Sequence, residues 1–180
     1  MTLTYVLRRF FVLALAAVLV SAVGMSNTYA AGTDDPPADS GDKKKKKGSA
    51  TDQVEQKLAH EKFLREYRAA RELIVAGRYE AGIAAMHAIG NDAHPDVANY
   101  IGYAYRKLGS YDNSKLWYEA ALKADPNHAR TWSYYGMWQA EQGNRLKALD
   151  HLQKVKLICG NDTCEDFRQL KAVIDGKASY

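Results

Sequence analysis

From residue 52 onward, apolar and small positions recur with a helical period and not with the alternation of a strand. They also recur over a longer distance. Arg68-Ala69-Ala70-Arg71 leads to Gly77-Arg78-Tyr79 and then Gly82, and Tyr100-Ile101-Gly102-Tyr103 leads to Gly109-Ser110-Tyr111 and then Ser114. Tyr134-Tyr135-Gly136-Met137 leads to Gly143-Asn144-Arg145 and then Ala148. In each line a small residue (Ala70, Gly102, Gly136) stands twelve positions before a second one (Gly82, Ser114, Ala148), with large apolar residues following in register at Met86, Tyr118 and Leu152. Such a pattern predicts antiparallel helix pairs whose backbones approach closely where both helices carry small side chains. Gly77, Gly109 and Gly143 end the first helix of each pair, where a left-handed residue costs least. Ala124-Asp125-Pro126-Asn127 stops one helix and begins the next. The predicted helices are 52–76, 79–90, 96–108, 112–124, 128–142, 145–158 and 163–175, so the fold class is all-α.

Residues 95–128 resemble the tetratricopeptide repeat (TPR) family: Ile101, Gly102, Tyr105, Gly109, Tyr111, Tyr118, Ala121 and Pro126 stand at the family's spacing, with Ser114 where alanine is usual. A third repeat, 129–162, keeps Trp132, Gly136, Gly143 and Ala148 but has Gln139 for an aromatic residue and Gly160 for proline. The first, 63–94, keeps Ala70, Gly77, Tyr79 and Gly82 and is two residues short. The resemblance implies a solenoid of stacked helix pairs over 52–180, closed by a polar capping helix at 163–175, in which stacking supplies the core that no single pair can bury. It also implies a protein-interaction module that binds a peptide or protein on the concave face built by the first helix of each pair. The residues placed there are Tyr67 and Arg71 (with Ile74), Asn99, Tyr103 and Arg106, and Ser133, Met137 and Glu141, the first two sets spaced i, i+4, i+7 and the third i, i+4, i+8. Tyr and Arg suit binding hot spots, and Asn99 with Arg106 suits a peptide backbone or carboxylate. The mixture fits a partner with both charged and apolar parts.

The segment before the repeats adds a compartment. Arg8-Arg9 precede an apolar stretch, Phe10–Val23, and Thr28-Tyr29-Ala30 offers small residues at a cleavage site after Ala30. Residues 1–30 therefore read as a secretory signal peptide, and the mature chain as secreted and periplasmic. If the segment is uncleaved it is a membrane tether, and only then is membrane contact expected. Residues 31–51, with Asp34-Asp35-Pro36-Pro37 and the run Lys43–Lys47, form a linker with too little apolar surface to order itself.

Charge follows this division. The 180 residues hold 25 Lys+Arg and 21 Asp+Glu, a net charge of +4. From residue 52 on the balance is near zero, so the folded part carries no basic footprint for nucleic acid. Cys159 and Cys164 bracket the joint between the last repeat and the cap, where Gly160-Asn161 signals a turn and Thr163 with Asp166 suggests a capping box. An oxidising compartment favours a structural disulfide between them; a thiol redox pair is the second reading, though its spacing is four residues rather than two. Some secreted bacterial TPR proteins end in a similar Cys-x4-Cys-Glu-aromatic segment, here through Phe167.

Other chemistry is thin. His60, His94 and His128 repeat at the repeat length, but stacked helices set equivalent residues on the order of 10 Å apart, too far to share a metal. There is no phosphate loop, HExxH or nucleophile elbow in the sequence. No catalytic residue, cofactor or metal site is assigned, and the expectation is a protein that is not an enzyme.

Overall fold

A computed structural model describes residues 49–179. The predicted signal peptide and the linker as far as residue 48 lie outside the described residues. Among the described residues there are seven helices and no strand: α1 (Ala50–Val75), α2 (Tyr79–Ala88), α3 (Pro95–Lys107), α4 (Tyr111–Ala124), α5 (Ala129–Glu141), α6 (Arg145–Cys159) and α7 (Glu165–Ile174). Every helix end falls within two residues of its predicted place. α1/α2, α3/α4 and α5/α6 form pairs, and the first helices form an inner row in which α3 packs on α1 and α5, and α5 on α7.

The helix ends obey local chemistry. α1 starts at Ala50, inside the segment read as linker, because Ser49 caps it. The Ser49 hydroxyl accepts the Thr51 N–H at 3.1 Å, and the Asp52 carboxylate accepts the Ser49 N–H at 2.9 Å. At the end of the first helix of each pair, the glycine takes a left-handed φ of 74–78°. The next residue's N–H then reaches back to a carbonyl in the last turn: Arg78 to Leu73, Ser110 to Tyr105, and Asn144 to Gln139, at 2.8–2.9 Å. Three copies of one terminator thus set three similar hairpins.

The six small packing residues Ala70, Gly82, Gly102, Ser114, Gly136 and Ala148 are all buried. At the second pair they face one another as expected: a Cβ on Gly102 would stand 2.9 Å from the Tyr118 ring and 3.2 Å from the Ser114 carbonyl oxygen. Elsewhere the neighbour differs. Gly82 abuts Ile74 rather than Ala70, and a Cβ on Gly136 would meet Leu170 of α7 at 2.6 Å and His151 Cβ at 3.1 Å. The Gly136 gap therefore admits the capping helix. Phe167, Leu170 and Ile174 of α7 face the core, while Arg168, Lys171 and Asp175 stay outside, the last two ion-paired at 2.7 Å. The core runs unbroken through the pairs and includes four fully buried tyrosines, Tyr67, Tyr100, Tyr118 and Tyr134.

The cap joint departs from expectation in one detail. Thr163 does not cap α7; Cys164 occupies that position, without a side-chain hydrogen bond. Asn161 orders the loop instead, its Oδ1 accepting from the Thr163 and Cys164 N–H groups at 2.9 and 3.0 Å. Asn reaches the backbone two residues on more readily than Thr does, which explains the exchange of roles. Cys159 and Cys164 stand at disulfide distance, Cα–Cα 6.4 Å, across this loop.

Replacing Gly136 by Val forces a branched side chain into Leu170 and His151. It should lower the urea-unfolding midpoint by an amount worth about 1–3 kcal/mol.

Candidate functional site

The inner row of α1, α3 and α5 carries a continuous set of polar and aromatic side chains. Its first half centres on Asp96, in the first turn of α3 and buried. Asp96 Oδ1 lies 3.3 Å from His128 Nε2 and 3.4 Å from Arg130 Nη1, and Oδ2 lies 3.8 Å from His94 Nδ1. His128 Nδ1 meets Thr131 Oγ1 at 2.7 Å. Next to this group, the Tyr67 and Tyr100 rings pack edge to face at 5.8 Å, and Arg71 Nε donates to the Tyr100 hydroxyl at 2.8 Å.

The second half joins α3 to α5. Arg106 grips Glu141 with two bonds of 2.7 Å and donates a third, at 3.3 Å, to the Tyr134 carbonyl. Tyr103 packs on Tyr134 with centroids 5.6 Å apart, and Lys107 Nζ lies 5.9 Å from the Tyr103 ring. A forked, buried guanidinium suits this joint, since two parallel bonds fix direction as well as distance.

Burial pushes the Asp96 carboxyl up. The hydrogen bond and charge of His128, then the charges of Arg130 and His94, overcome that and hold the group below its ordinary value. A carboxyl depressed in the folded state stabilises the fold above its unfolded pKa and loses that contribution as pH falls through the folded value.

The eight residues expected on the concave face divide by burial. Tyr67, Asn99, Ser133 and Met137 are fully buried, Tyr103 and Arg106 nearly so, Arg71 is half-buried and Glu141 lies at the rim. The structure joins Arg106 directly to Glu141. Tyr67 and Arg71 meet through Tyr100, and Ser133 turns to the cap, donating to the Asp166 carbonyl at 2.8 Å. Two of the eight carry buried polar atoms without a hydrogen-bond partner: the Tyr67 hydroxyl, and both the oxygen and the nitrogen of the Asn99 amide.

The i, i+4, i+7 reading overlooked Asp96, Tyr100, Lys107, Arg130 and Tyr134. A signal for them was present, because Asp96 and Arg130, like Tyr100 and Tyr134, stand 34 residues apart, at equivalent positions of successive pairs. The histidine ladder also has an outcome that spacing did not suggest: His94 and His128 converge on one carboxylate. No group of three His, Cys, Asp or Glu residues able to hold a metal exists among the described residues.

Comparison with known families bears on the second helix pair. Residues 98–128 match the tetratricopeptide repeat. That span covers most of α3, all of α4 and the turn to His128. TPR elements are protein-interaction repeats, commonly bind proteins or peptides, and are typically non-catalytic. A search of curated proteins found no match.

Asp96→Asn removes the counter-charge of Arg130 and should cost about 3 kcal/mol at pH 7. The deficit relative to wild type should shrink as pH drops below about 4, as urea unfolding at a series of pH values would report.

Proposed function

We propose that the protein is a secreted, periplasmic TPR module, an adaptor or assembly factor, that binds a peptide or protein on the inner face of α1, α3 and α5. Rings, guanidinium groups and carboxylates alternate along this face and suit a partner segment with both charged and apolar groups. The observation that carries the reading is Asn99. A buried amide with donors and acceptor unmet costs about 1–3 kcal/mol, and Asn99 is the one residue of the expected inner stripe with both kinds of atom unmet. On the inner face an extended peptide backbone would supply both missing partners, in the way an asparagine offers one acceptor and two donors. Side-chain rearrangement on binding opens the route to it, as is common at interfaces.

The test separates binding from stability. A photo-crosslinking residue at Lys107 should capture a partner in the protein's own compartment, and one at the outward Leu146 (79% exposed) should not. Asn99→Leu should keep or raise stability, by about 1 kcal/mol, and abolish that capture. Unchanged capture in Asn99→Leu would remove the reading.

The compartment and the cysteines are tested together by intact mass of the natively expressed protein. A chain beginning at Ala31 and lighter by two protons is expected. An uncleaved N-terminus would favour a membrane-tethered structural factor instead. Two free thiols in the native protein would return the thiol redox reading of Cys159 and Cys164.

A further inference from the structure

Among the described residues the stack is sealed at one end only. At the C-terminal end α7 covers the last pair and turns polar groups outward. At the other end, the outer side of α1 and α2 forms a groove of about 270 Å³ lined by Ala69, Leu73, Ala85, Ala88 and Ile89. α1 then runs on past the body: residues 50–62 are all exposed, with Val54 at 57% and Leu58 at 59%. A projecting helix of this length is marginal in water on its own, and it ends in two exposed branched residues one turn apart.

Charge along α1 is polarised. Residues 50–61 carry Asp52, Glu55 and Glu61 against Lys57, while 62–73 carry Lys62, Arg65, Arg68 and Arg71 against Glu66 and Glu72. A helix with an acidic first half and a basic second half complements a copy of itself laid antiparallel and repels one laid parallel. With a two-fold axis between Glu61 and Lys62, the antiparallel register sets Lys57 against Glu66, Glu61 against Lys62 and Val54 against Ala69. The alanines at 69, 85 and 88 leave room for a second helix to approach closely.

From this we infer that the protein forms a symmetric homodimer through the outer side of α1, each copy laying Val54 and Leu58 toward the other's alanine-lined groove. The contact is isologous, so it closes at two copies and leaves both inner faces outward. It stands independently of what the inner face binds.

Sedimentation equilibrium of the natively processed chain, across concentration and at low and high salt, tests it. A dimer weakened by salt is expected. Leu58→Lys, which the register sets against Arg65 of the other copy, and Ala69→Arg should each raise the dimer Kd by about tenfold or more, with the circular dichroism spectrum unchanged. Lys57→Glu and Glu66→Lys should each weaken the dimer, and together should restore it. A monomer at every concentration, as when residues 1–48 or a different protein cover this side, overturns the inference. So does an oligomer indifferent to both Leu58→Lys and Ala69→Arg.

Discussion

Close approach between neighbouring helices at small residues is the constraint on which the rest depends. At Gly102 and Gly136 there is no space for a Cβ, and the side chains that fill the gap, Tyr118 and Leu170, belong to neighbouring helices. Where the helices may touch is therefore fixed by what is missing from them. That contact sets the angle of each hairpin. The angle sets how the next pair stacks, and the stacking brings the first helices into one row. A larger residue at either position would displace a helix and, with it, every side chain that the helix presents inward.

The inner row adds a second layer of order, made of charge. Burying Asp96 is tolerable only because three partners converge on it from the starts of α3 and α5. Arg106 makes a comparable joint with Glu141 one helix length away. These links are directional where the apolar core is not, so they fix the register of one pair on the next. Asn99 lies between the two clusters along α3, and it alone of the three inward polar groups on that helix (Asp96, Asn99 and Arg106) has its bonds unmet.

Much of this was legible in the sequence, for a definite reason. Steric exclusion leaves its mark as glycine and alanine at fixed offsets, so the seven helices could be placed within two residues of their ends. Their neighbours could not be placed so well. The offset of twelve named Ala70 and Ala148 as the residues opposite Gly82 and Gly136, whereas Ile74 and Leu170 fill those spaces. Helical arithmetic tells which residues share a face and is silent on what lies against it. That is why Ser133 and Met137 joined the predicted binding stripe although Ser133 is tied to α7. The start of α1 was missed because the lysine run beside it dominates the local composition, and a serine followed by an aspartate three residues on weighs little against five charges. Asp96 and Arg130 are readable from their 34-residue offset once polar positions of successive repeats are set side by side.

The joint between α6 and α7 has a consequence for how the molecule comes apart. A stack with only nearest-neighbour contacts loses order from its ends, one unit after another. At the C-terminal end Cys159 and Cys164 stand at disulfide distance across the short loop between the last two helices. At the other end α1 and α2 have no such pair. With that pair bonded, fraying enters through α1 and travels toward the joint of α6 and α7, as in a zipper with one end sewn shut.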